Sequence, residues 1–102
     1  MKIKVSYIKP CVTSRNKIMA RIEIDRKIDI KSAQESLKKE FKDLRFDLEV
    51  GAIRFNYKKM ALLIFSSGEI IIRRAETEKL IFDTVKRIVS LVFQEEVEGD
   101  KY

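Results

Sequence analysis

Apolar and polar positions alternate with a period of two in KIKVSYIK, residues 2–9. Ile3, Val5 and Tyr7 stand there against Lys2, Lys4 and Ser6, the signature of a strand with two unlike faces. Pro10 ends this run because proline cannot donate to a strand ladder, and CVTSRN reads as a connection. A second alternation occupies IMARIEID, residues 18–25, with Ile18, Ala20, Ile22 and Ile24 on one side. Met19, Arg21, Glu23 and Asp25 take the other side. The period then changes. Asp29 suits a helix N-cap, its carboxylate accepting the orphan amides of the first turn. Ile30, Ala33, Leu37 and Phe41, spaced by three and four, predict a short helix to about Glu40, with Glu35, Lys38 and Lys39 facing water.

LRFDLEVGAIRFNY, residues 44–57, returns to strand character. Phe46, Leu48 and Val50 alternate with Asp47 and Glu49 until Gly51, where a bulge or bend is expected, after which Ile53 and Phe55 share a face. MALLIFSSGEIII, residues 60–72, is a hairpin with Gly68 supplying a positive φ at its turn. Both of its arms are almost wholly apolar. Leu62, Ile64, Ile70 and Ile72 are expected to face helices, which leaves Leu63, Phe65 and Ile71 on a second face whose cover the pattern does not name. Thr77 then caps a helix predicted over Glu78–Gln94, with its stripe at Leu80, Ile81, Thr84, Val85, Ile88, Val89, Val92 and Phe93. Two strands, a helix, three or four strands and a helix make an α+β fold: an antiparallel sheet with both helices on one face.

The chain has 102 residues, of which 45% are apolar and 37% charged. That is one domain with a modest core. The charge is rich in Lys, Arg and Glu, a composition that suits a thermophile's solvated surface. It is also uneven. Residues 1–27 hold eight basic side chains (Lys2, Lys4, Lys9, Arg15, Lys17, Arg21, Arg26, Lys27) against Glu23 and Asp25, which accounts for the whole net charge of +6. A basic block of this kind suits a polyanion partner or an ordinary basic surface. Cys11 is alone and histidine is absent, so neither an intrachain disulfide nor a zinc cluster is expected, and no metal or other cofactor. No apolar run approaches the roughly 20 residues of a membrane helix, and no signal peptide is visible. A soluble, cytoplasmic protein is expected.

Over its hairpin and the entry to the last helix, ALLIFSSGEIIIRRAETE, the chain resembles the TATA-box-binding protein family, with Ala75 and Glu78 at matching places. KIDIKSAQESL, residues 27–37, is similar to the start of that family's first helix. The resemblance spans about residues 17–93 and implies one repeat of a fold whose DNA-binding domain holds two, arranged as a saddle-shaped sheet. The expected organisation is a strand extension over 1–16, a single TBP-like repeat over 17–95, with a curved antiparallel sheet and two helices on one face, and a frayed acidic tail over 96–102. A homodimer would restore the two-fold arrangement of the saddle.

The resemblance also implies site residues. Phe65 matches one of the two phenylalanines that wedge between base steps; the other position falls on Leu48, with Phe46 two residues earlier on the same predicted strand face. The concave surface along the hairpin falls on Ala61, Leu63, Ile71 and Arg73. Lys17, beside Asn16, stands where the repeat has an asparagine, and Met19 at a neighbouring apolar place, with Arg21 and Glu23 adding charges to that surface. Wedging costs a few kcal/mol per unstacked step, offset by contact with the bent duplex, a balance for which this family is the reference case. Met19, Val50, Leu63 and Ile71 would form the apolar floor. Lys17, Arg21, Arg54, Lys58, Lys59 and Arg73 would engage phosphates, with a steep salt dependence.

Double-stranded DNA is therefore the expected partner, in a role related to transcription initiation and without a membrane. Two alternatives stay open. A two-faced apolar strand also suits a module covered by a protein of the transcription machinery, by a second protomer or by the N-terminal strand. Single repeats of this fold also resemble domains that dock RNA–DNA hybrid. An enzyme is not expected: Ser66 and Ser67 lack a histidine partner, and Asp47 with Glu49 reads as a solvated face rather than a metal site.

Overall fold

The alternation in the sequence becomes, in three dimensions, the sorting of one sheet into two faces. The computed structural model describes residues 2–8 and 17–94. The elements are β1 (Ile3–Ile8), β2 (Ile18–Ile24), α1 (Ile30–Leu37), β3 (Arg45–Asp47), β4 (Ala52–Tyr57), β5 (Met60–Phe65), β6 (Glu69–Ala75) and α2 (Glu78–Phe93). All six strands join one curved antiparallel sheet in the spatial order β1-β2-β6-β5-β4-β3. The readings of Pro10, Cys11, the connection CVTSRN and the acidic tail fall outside the described residues.

Directly opposed residues share a face, so the register defines rows that cross the sheet. Val5, Ile22, Ile70, Ile64, Ile53 and Phe46 form one row on the helix side, and Tyr7, Ala20, Ile72, Leu62 and Phe55 the next. Ile22, Ile53, Leu62, Ile64, Ile70 and Ile72 are fully buried there. They pack with Ala33, Leu37 and Phe41 from α1 and its exit, and with Ile81, Val85, Ile88 and Val89 of α2. Phe41 seats α1 on β4: its ring lies 4.9 Å from Phe55 and 4.9 Å, edge-on, from Tyr57.

Both helices start where their caps predict. Asp29 accepts from the Ser32 amide at 3.4 Å and Thr77 Oγ1 from the Leu80 amide at 3.0 Å. α1 ends at Leu37, earlier than predicted, and residues 38–40 continue as turns. An ion pair between Glu40 and Arg87 ties this end to α2. At Gly68 φ is +100°, and a Cβ there would stand 2.4 Å from the Arg26 carbonyl oxygen and 2.6 Å from that of Ile24. The turn is thus packed backbone to backbone against the exit of β2, and only glycine fits.

One expected break starts earlier than its glycine. The bulge or bend expected at Gly51 is a full turn: β3 stops at Asp47 and β4 begins at Ala52, with four residues between them. Asp47 causes the break. Its carboxylate accepts from the Glu49 amide at 3.1 Å and the Val50 amide at 3.3 Å, and its carbonyl from Gly51 at 2.7 Å, an Asx-type turn that competes with strand pairing.

Candidate nucleic-acid interface

Among the described residues, no helix lies on the other side of the sheet. One row runs across all six strands as Ser6, Arg21, Ile71, Leu63, Arg54 and Arg45. Beside it, on one flank, runs a second row of Ile8, Met19, Arg73, Ala61 and Asn56. On the opposite side of the row, Phe65 stands over Ala52, beside Asp47, while Lys4 and Glu23 pair near Glu69. Ala61, Leu63, Phe65, Ile71 and Met19 are each half-buried, between the sheet floor and solvent. Leu63, Ile71, Ala61, Arg54, Asn56 and Arg73 also line a broad open groove of about 1030 Å³.

β1 does not cover this face. It pairs edge to edge with β2 from Ile3↔Ile24 to Ile8↔Met19, so β1 widens the sheet and does not lie over the apolar strip.

The two residues predicted around the second wedge separate. Phe46 belongs to the helix-side row opposite Ile53 and is 41% exposed because β3 is the sheet edge. Leu48 lies in the turn beyond β3 and is 85% exposed; Val50, in the same turn, is 48% exposed. Leu48 and Val50 therefore stand at the rim of the groove, not on a strand face or in its floor, because the Asx turn ends the alternation. Phe65 is the phenylalanine that β5 places on the open face.

Three cations of this face are paired with carboxylates of the same chain. Arg21 pairs with Glu69 and, at 3.4 Å, with Glu23; Arg54 meets Asp47 at 3.7 Å and Lys17 meets Glu76 at 3.1 Å. Such exposed pairs contribute little stability, about 0–1 kcal/mol, but each lowers the field available to an anion. Arg73 differs: its Nε is buried with no hydrogen-bond partner among the described residues. Sequence reasoning flagged Glu23 and missed Glu69, whose partnership with Arg21 depends on the β2–β6 register. Among the described residues no group of three or more acidic or cysteine side chains is placed to hold a metal ion.

The site is thus a curved antiparallel sheet with two helices behind it and an apolar surface edged by charge. A family model described as transcription factor TFIID (or TATA-binding protein, TBP) matches residues 14–94. The chain belongs to that family and is a TBP-like domain, related to transcription and DNA binding. A search of curated protein sequences finds no significant match. Among the described residues no helix is long and apolar enough to cross a membrane.

Proposed function

We propose that the open face of the sheet binds double-stranded DNA along the minor groove, with Phe65 as the wedge and Leu63, Ile71, Ala61 and Met19 as the apolar floor. The observation that carries this reading is the uncovered strip itself: half-buried apolar side chains on β2, β5 and β6 of a family member, with nothing from this chain's described residues laid over them. Such a surface suits a groove floor, where displaced water and an opened base step offset the unstacking. Arg73 and Arg45 supply charge beside the strip, and Arg54, Arg21 and Lys17 would have to exchange a carboxylate for a phosphate. The working form is a homodimer, because one chain presents one phenylalanine on this face and two wedges need two copies. The function is binding, with no catalytic step, in the setting of transcription.

Titrating a labelled duplex at two salt concentrations tests the reading. Affinity should fall steeply as salt rises, and Phe65→Ala should weaken binding while the protein still melts cooperatively. No binding at low salt removes the proposal. An unfolded Phe65→Ala variant would return that ring to the core, and Leu63→Ala then serves as the second probe.

A further inference from the structure

Among the described residues, three of the five non-glycine positions with positive φ are basic and sit at one end of the sheet: Lys58 (φ 48°), Lys59 (φ 67°) and Arg74 (φ 64°). Lys58 and Lys59 are the whole of the two-residue loop between Tyr57 and Met60. A turn with both residues left-handed normally takes Asn-Gly, which adopts that backbone with little strain. Arg74 belongs to a bulge, where the shift of register between Ile18 and Ala20 sets Arg73 and Arg74 against Met19. The extra residue returns Ala75 to the buried face. Lys17, Asn56, Lys59 and Arg74 then line a shallow groove of about 440 Å³. Glu76, 3.1 Å from Lys17, is the acidic group in contact with this cluster, and no described carboxylate pairs with Lys59 or Arg74.

We infer that this end of the sheet is a phosphate-binding site, built by Arg74, Lys59 and Asn56, with Lys17 held in reserve by Glu76. A strained backbone that persists at a cluster of like charges points to a use for those charges. A guanidinium offers a phosphate two parallel N–H donors, a lysine a point charge, and the Asn56 amide a neutral donor. The bound anion relieves the mutual repulsion of the cations. The groove lies at the hairpin end, apart from the Phe65 end of the strip, and the inference does not require the open face to hold a duplex.

The test uses the full-length, isotope-labelled chain and inorganic pyrophosphate. Saturable shifts confined to Asn56, Lys59, Arg74 and Lys17 are expected; linear shifts spread over lysines such as Lys31 and Lys38 overturn the site. Lys59→Gly and Arg74→Asn both suit a left-handed backbone, so the fold should hold or gain stability. Pyrophosphate affinity should fall about tenfold for each lost charge-assisted contact. Unchanged affinity in the double variant overturns the proposal, and Glu76→Gln should strengthen binding by freeing Lys17. A duplex titration of the double variant then identifies the source of the phosphate. A salt slope shallower by roughly two assigns it to a nucleic-acid backbone; an unchanged slope alongside lost pyrophosphate binding assigns it to a free phosphate compound. Phe65→Ala should leave pyrophosphate binding intact, which separates this site from the open-face reading.

Discussion

Leu63 and Ile64 are neighbours in β5 with similar volumes and opposite surroundings. Ile64 is fully buried between the sheet and the helices, whereas Leu63 lies half-buried on the open face. Ile64→Ala should destabilise the fold by about 2–5 kcal/mol through lost burial and the cavity left behind. Leu63→Ala, which leaves no enclosed cavity, should cost about 1 kcal/mol or less. For a domain of this size each kcal/mol lowers the melting temperature by roughly 4–8 °C, so two thermal melts separate the faces. Equal losses would mean that both faces are core. This two-sidedness was legible in MALLIFSSGEIII because alternation along a strand is a local geometric rule. The partner of Arg21 was not legible, because Glu69 is 48 residues away in sequence and reaches it only through strand pairing.

At the scale of elements, the helices were the easiest to read, since caps and three-four spacing act within a few residues. The break expected at Gly51 was legible but its start was not: Phe46, Leu48 and Val50 alternate as a strand would, while one side-chain carboxylate on Asp47 overrides the pattern. β1 was read as a strand that could cover the second face; pairing instead seats it on the edge of β2. Its Ile3, Val5 and Tyr7 pack against the core cluster. A chain beginning at Lys17 should still fold but lose about 2–4 kcal/mol from those partly buried side chains and the ladder. It should also self-associate through the bared edge of β2. Circular dichroism melts and light scattering would show both. An unchanged melting temperature would mean that β1 contributes nothing to the fold.

For the whole molecule, the edges decide how two copies can meet. With β1 seated on β2, the strands left at the ends of the sheet are β1, six residues long, and β3, three residues long. A dimer that continues the sheet has its longer edge in β1, so sedimentation should report a dimer at micromolar concentration that the truncation from Lys17 alters. A strict monomer at concentrations that bind DNA would end the homodimer proposal. The sequence by itself determined the two-faced strands, the helix starts, the α+β class and the family, because periodicity, capping and motif spacing are properties of short segments. Only the tertiary structure decided that no described residue covers the second face, that Arg21 and Arg54 on it are paired with carboxylates, and that Lys59 and Arg74 meet at one end. Those outcomes come from strand order and register, which bring together residues that no local rule connects.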